Sequence, residues 1–234
     1  MNVNKIISKE ENPEKRKLLY SVYLKNREYA VTKEQKDLLT RIIKAMIDVD
    51  RKYFLIDEDE AYIDAPMSIG YAQTISQPST VARMLLLADL KKGQDVLEIG
   101  SGSGWSASLV GYLIHPGKLI SVERIAPLSE YSRKNEKKLP KNVQSKIDMQ
   151  FLFGNALNPK NVIWKNKYDR IVVAAGGSKD LVEELRKVSK LKNNGLLLFP
   201  TQKGDLELWK NKKGKLEVVH MEKGYSFVPL VGQR

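Results

Sequence analysis

The chain has 234 residues, of which 42% are hydrophobic and 29% charged, enough for one sizeable core and too apolar for a disordered chain. It has no cysteine, which excludes a disulfide scaffold, a thiolate metal site and a cysteine nucleophile. Of its two histidines, His115 and His220, neither sits in a metal-binding or triad motif, so no metal is expected. The net charge of +12 is concentrated in residues 131–167 and 183–215, read here as solvated helix faces and loops rather than a nucleic-acid surface.

No apolar run approaches the about 18 residues of a membrane helix. The charged N-terminal segment is not followed by the apolar stretch of a secretory leader, so a cytoplasmic protein without membrane contact is expected.

Residues 1–60 read as a helical extension. Leu38, Leu39, Ile42, Ile43, Met46 and Ile47 recur at helical spacing, and Thr32 with Gln35 forms a capping box. Pro66, Gly70 and Pro78 then punctuate a loop with extended pieces. A helix is predicted over 79–90, with Val81, Met84, Leu85 and Ala88 on one face. Strands are predicted at 95–99, 118–123, 149–153, 169–174 and 195–199. They alternate with helices at 105–114, 126–138 and 181–191. Short apolar strands alternating with amphipathic helices predict an α/β fold, a mostly parallel sheet with helices on both faces. After Pro200, segments 206–210 and 216–221 around Lys213-Gly214 predict an antiparallel hairpin, and 225–230 a last extended piece. The expected organisation is a helical extension over 1–60, a ligand-binding core over 61–204, and a hairpin with a substrate-side tail over 205–234.

The sharpest local feature is the strand-to-helix turn Glu98-Ile99-Gly100-Ser101-Gly102-Ser103-Gly104. A dinucleotide fingerprint needs a third glycine where Trp105 stands, and no phosphate-binding loop follows Gly117-Lys118. The pattern suits a small cofactor with a carboxylate and a ribose but no pyrophosphate, and S-adenosylmethionine fits. Glu123, at the end of the second core strand, can accept two hydrogen bonds from a ribose diol. Gly154-Asn155-Ala156 ends the third, where an adenine edge should lie, and the Asn155 side-chain oxygen can accept from its amine.

These residues resemble the S-adenosylmethionine-dependent methyltransferases with a Rossmann-like fold. A second motif narrows the resemblance. Ala72-Gln73-Thr74-Ile75-Ser76-Gln77-Pro78 resembles the substrate-side motif of the protein-L-isoaspartate O-methyltransferase family. Ala61-Tyr62-Ile63-Asp64, Val122-Glu123-Arg124, Tyr168-Asp169-Arg170-Ile171 and Phe227-Val228-Pro229-Leu230 agree with it in order and spacing. Two departures stand out: Gly154-Asn155-Ala156 where the family usually has Gly-Asp-Gly, and Ala174-Ala175-Gly176-Gly177 where it tends to have a threonine, then Ala-Ala-Pro.

The resemblance implies methyl transfer from S-adenosylmethionine, yielding S-adenosylhomocysteine, to the free carboxylate of L-isoaspartyl residues in damaged proteins and peptides. It implies Ser76 as the catalytic residue holding that carboxylate. Thr74, Ile75, Glu98, Gly100, Ser101, Gly102, Ser103, Gly104, Glu123, Arg124, Gly154, Asn155 and Ala156 would hold the cofactor. Val228, Pro229 and Leu230 would join Ser76 in binding substrate. On local sequence alone Ser76 reads first as a turn or helix-capping serine, and Asn155 reads also as a turn asparagine. Two other readings share the glycine loop: a transfer-RNA adenosine methyltransferase, and a non-catalytic cofactor-binding assembly module. Asn194-Gly195 reads as a flexible step that forms succinimide easily, which would make the enzyme its own substrate in trans if that turn is exposed.

Overall fold

Side-chain caps fix the first helices of the computed structural model, which describes residues 3–178, 183–185, 187 and 190–230. Helix α1 (Val3–Ile7) precedes α2 (Pro13–Asn26), whose Asn12 cap accepts from the Glu14 and Lys15 backbone N–H groups. Helix α3 (Lys33–Asp48) starts at the expected capping box between Thr32 and Gln35, and it buries Leu38, Leu39, Ile42, Ile43 and Met46. Ile47 is only partly buried beside them. The punctuated loop holds a small antiparallel hairpin, β1 (Met67–Gly70) and β2 (Gln73–Ile75). Helix α4 (Pro78–Leu87) follows and stops short of the expected residue 90, because Asp89 turns into the left-handed region at φ +49°.

The core then alternates as expected: β3 (Asp95–Ile99), α5 (Trp105–Ile114), β4 (Lys118–Glu123), α6 (Ala126–Glu136), a short α7 (Lys141–Gln144), β5 (Met149–Phe153) and β6 (Tyr168–Val173). Of the helix expected over 181–191, residues 183–185 and 187 are helical, and 181, 182, 186, 188 and 189 lie outside the described residues. Leu191 already belongs to β7 (Leu191–Pro200), which begins four residues earlier than expected. The Asn211 side-chain amide draws that start into the sheet by donating to the Leu191 and Lys192 carbonyls at 2.8 and 3.1 Å. Strands β8 (Asp205–Lys212) and β9 (Lys215–Lys223) form the antiparallel hairpin.

The seven-stranded sheet has the order β5-β4-β3-β6-β7-β8-β9, parallel from β5 to β7 and antiparallel beyond. Alternate side chains feed two apolar layers. Val96, Val172 and Leu198 pack with the helices α1–α5, while Leu97, Ile171 and Leu197 pack with Ile163, Trp164 and Leu185. Connections leave β3 and β6 in opposite directions. That places a crevice beyond the carboxyl ends of these two neighbours, where open α/β sheets bind ligands.

Candidate active site

The crevice is built on the turn after β3. Gly100, Gly102 and Gly104 all have positive φ, at +96°, +52° and +88°. Gly104 is constrained twice, because a Cβ there would lie 3.0 Å from the Ser132 Cβ and 3.1 Å from its backbone. The turn is thus held against α6 while its other side stays free of side chains. Trp105 opens α5 and is a packing residue: it is buried, and its indole N–H donates to the Val49 carbonyl at 3.1 Å.

Two carboxyl groups lie under this turn. Glu123 is 7% exposed and its carboxylate accepts three backbone N–H groups: Gly102 at 2.9 Å on Oε2, and Arg124 and Ile125 at 2.8 and 2.9 Å on Oε1. Glu98 is fully buried. Its Oε2 accepts from the Ser121 hydroxyl at 2.6 Å, Ser101 lies 2.8 Å from the same hydroxyl, and Oε1 has no hydrogen-bond partner among the described residues. Burial raises the Glu98 carboxyl to about 7 against the pull of the Ser121 and Ser106 hydroxyls, and the Glu123 charge adds to the rise.

The third edge is the end of β5. The Asn155 Oδ1 accepts from the Leu157 backbone N–H at 2.9 Å, so it closes its own turn. The Asn155 carbonyl accepts from the Asn161 side chain at 3.0 Å, and the Ala156 carbonyl from the Trp164 indole at 2.8 Å.

On the opposite wall, Thr74, Ile75 and Ser76 lead from β2 into α4. Ser76 is half-buried and is not the helix cap; that position is Gln77, without a side-chain bond. The first turn is capped from a distance by Asp64, whose Oδ1 accepts from the Ser79 N–H at 2.9 Å. Burial opposes the Asp64 charge, but Lys25 at 2.8 Å and Ser79 outweigh it and hold the carboxyl below its ordinary value. Arg51, 2% exposed, donates to the carbonyls of Ala61, Ile63, Ala65 and Ser76 at 3.1, 3.1, 2.9 and 3.4 Å. Burial lowers its guanidinium to about 10, while Asp64 and Glu60 pull it back up.

The tail completes the crevice. Gly176 donates to the Val228 carbonyl at 2.8 Å, and Leu230 donates to the Gly176 carbonyl at 2.7 Å, a parallel bridge beyond β6. A Cβ at Gly176 would press on that of Phe227 at 3.3 Å, so the tail lies close against the backbone here. The crevice comprises two abutting cavities that share Gln73, Gly100, Glu123 and Ala175. Thr74, Ile75, Ser76, Ser101, Gly102, Ser103 and Val228 line one; Arg124, Gly154, Asn155, Ala156, Pro229 and Leu230 line the other.

Two expected residues, Glu98 and Gly104, line neither cavity: one lies buried beside Ser121, the other against α6. Sequence reasoning gave no role to Gln73, Arg51 or Asp64. Gln73 sits inside the Ala72-to-Pro78 motif and Asp64 ends the Ala61-to-Asp64 motif, signals that could have found both; Arg51 acts through contacts that no local pattern carries.

The residues fit S-adenosylmethionine. Glu98 and Glu123 put two carboxyl groups beside a turn stripped of side chains, which suits a cationic ligand, and Glu98 Oε1 is a buried acceptor without a hydrogen-bond partner among the described residues. Comparison with known proteins agrees. The family model described as protein-L-isoaspartate(D-aspartate) O-methyltransferase (PCMT) matches residues 24–234. The protein-L-isoaspartate O-methyltransferase of Methanopyrus kandleri is 37% identical over 199 residues, covering 82% of this chain and 84% of the relative. That of Thermococcus sibiricus is 35% identical over 205 residues, covering 82% and 86%. A Plasmodium falciparum beta-aspartate methyltransferase (PCMT), crystallised with S-adenosyl-L-homocysteine, superposes with a TM-score of 0.75 at 26% identity, covering 95% of this chain and 99% of that one. The sequence motifs, the glycine turn over two buried carboxyl groups and these relatives converge: the chain belongs to the protein-L-isoaspartate(D-aspartate) O-methyltransferase family.

Proposed function

We propose that this protein repairs damaged chains by moving a methyl group from S-adenosylmethionine to the free carboxylate of L-isoaspartyl residues in proteins and peptides. The observation that carries the reading is the meeting of Ser76, Glu123 and Val228 around one cavity. When bound, S-adenosylmethionine supplies an electrophilic methyl group on a positively charged sulfur. Glu123 would hold its ribose hydroxyls, with Ser101, Gly102 and Ser103 at the amino-acid end and Asn155, Ala156 and Arg124 around the base.

The substrate carboxyl, with a pKa near ~4, is already ionised at neutral pH, so no general base is needed. Ser76 donates its hydroxyl to that carboxylate and fixes the oxygen that attacks. Charge is neutralised as the ester forms, and a cavity walled by Ile75, Val81 and Val228 favours that loss of charge over a water-filled one. The backbone of Val228, Pro229 and Leu230 offers an extended edge for the substrate peptide. The ester cyclises without the enzyme to a succinimide, which water reopens in part to normal aspartyl.

The reading takes residues 1–60 as a supporting extension, 61–204 as the cofactor core and 205–234 as the substrate-side tail, in a cytoplasmic enzyme. No described helix is long and apolar enough to cross a membrane. The relatives lend nothing to the RNA-methyltransferase alternative.

The test is transfer from labelled S-adenosylmethionine to two peptides differing only in an isoaspartyl or an aspartyl linkage. Only the isoaspartyl peptide is expected to be labelled. Ser76→Ala should cut that labelling by about 10- to 100-fold, the worth of one hydrogen bond to a charged group, with cofactor affinity unchanged. Labelling of neither peptide, with cofactor binding intact, overturns the reading.

A further inference from the structure

Arg83 is the one charged residue of α4, and it is buried. Its guanidinium carbon lies 3.9 Å from the centre of the Tyr29 ring, just past α2. Its planar fork grips a single carboxylate, that of Glu222 on β9: Nε donates to Oε2 at 2.8 Å, and a terminal nitrogen donates to Oε1. Glu222 pairs across the sheet with Leu206, so its side chain stands on the face where Leu206 packs in the same apolar layer as α4.

Two further groups close on that carboxylate. The Tyr225 hydroxyl donates to Oε2 at 2.9 Å, and His220 Nε2 lies 2.8 Å from Oε1. Burial opposes the charge, but Arg83, His220 and Tyr225 outweigh it and hold the carboxyl down at about 2. Replacing a buried ion pair by well-packed apolar residues is often neutral or stabilising, so stability alone is a poor reason for such a cluster.

What the cluster adds is geometry. Arg83 lies seven residues past Ser76, and Glu222 lies six residues before Val228. Ser76, Val81 of α4 and Val228 line one cavity. The tail between Glu222 and Val228 has a closely set course. The Tyr225 N–H donates to the Gly204 carbonyl at 3.0 Å, and a Cβ at Gly204 would stand 2.5 Å from the Tyr225 carbonyl oxygen, so only glycine lets the tail seat there. The Phe227 ring lies 6.4 Å from that of Tyr225, and the Val228 carbonyl then accepts from Gly176.

We propose that Glu222 is a positioning residue for the substrate. Bonded to Arg83 on one side and to Tyr225 on the other, it sets the tail backbone at Val228, Pro229 and Leu230 against Ser76, at the spacing that an isoaspartyl peptide needs. The role rests on the function proposed above. Glu222 lines neither cavity of the crevice and acts through the tail alone.

The test uses Glu222→Gln and Tyr225→Phe in the full chain. Glutamine keeps the shape but puts an amide among donors that need an acceptor, and phenylalanine removes only the hydroxyl. Glu222→Gln should raise KM for the isoaspartyl peptide by about 10-fold, the scale of one hydrogen bond to a charged group, with kcat and the Kd of S-adenosylmethionine close to wild type. Tyr225→Phe should raise KM by about 3-fold, since a smaller part of the cluster is lost. Amide hydrogen exchange at Leu230, whose N–H donates to Gly176, should quicken in both variants, while the Gly102 amide on the cofactor side keeps its rate.

An unchanged KM, with or without a lower urea midpoint, overturns the proposal. A raised KM with unchanged exchange at Leu230 overturns the route through the tail. Should Glu222→Gln fail to fold, Tyr225→Phe decides by the same two readouts. Failure of the wild type to label the isoaspartyl peptide strikes the proposed function. Exchange at Leu230 then still judges whether Glu222 seats the tail, and an unchanged rate overturns it.

Discussion

The guanidinium carbon of Arg51 lies 5.5 Å from the centre of the Trp105 ring. Trp105 follows the glycine turn directly, while the same guanidinium holds the Ser76 carbonyl and three carbonyls of the preceding loop. One buried cation therefore sets the cofactor-side wall and the substrate-side wall relative to each other. Replacing it by methionine leaves four carbonyls short of a donor, and a loss of roughly 3 kcal/mol in urea unfolding is expected. Arg51→Lys keeps the charge but loses the planar fork. It should recover part of the stability while kcat for the isoaspartyl peptide stays low and cofactor affinity, read by calorimetry, changes little.

Glu123 answers to a different measurement. Its carboxylate is already organised by three backbone N–H groups, so Glu123→Gln puts an amide among donors that need an acceptor. Cofactor affinity should fall by about 10- to 100-fold, the worth of roughly 1.5–3 kcal/mol for a hydrogen bond to a charged group. Calorimetric titration reads this directly; an unchanged Kd would remove Glu123 from the cofactor site.

Glu98 predicts a pH dependence of stability. Its folded carboxyl titrates at about 7 against 4.5 when unfolded. Between those values the unfolded chain gives up a proton that the folded chain keeps, so stability falls as pH rises through this window and levels off above it. The limiting slope is about 1.4 kcal/mol per pH unit. Glu98→Gln should flatten that slope in urea unfolding measured across the window, because the amide stays neutral throughout.

Much of the core was legible because each strand is a short buried run that ends at a hard stop. β3, β4 and β5 begin and end where their apolar runs do, and α5 lies between the Gly104 turn and Pro116. The start of β7 was not legible, because an amide on β8 draws it in. Nor was the cap of α4: Ser76 looked like a candidate, and the carboxylate that does the work is Asp64, far back in the chain. At the site, the glycine turn and Glu123 carried their own signal. The Asn155 side-chain oxygen closes a turn through the Leu157 N–H, a bond that uses one of its two lone pairs. Arg51 sat in a charged stretch that reads as surface, since nothing local reveals that four carbonyls will converge on it.

The bridge between Gly176 and Pro229 has a consequence for how the enzyme comes into being on the ribosome. Synthesis proceeds from the N-terminus, and pairings between distant segments are the slowest to close. A nascent chain that has emerged only through β6 already holds the glycine turn, Glu123 and Ser76. It still lacks Val228, Pro229 and Leu230, which wall both cavities. The site is therefore finished only when a segment made well after β6 folds back across the sheet, and until then the growing polypeptide has no complete crevice in which to seat a substrate.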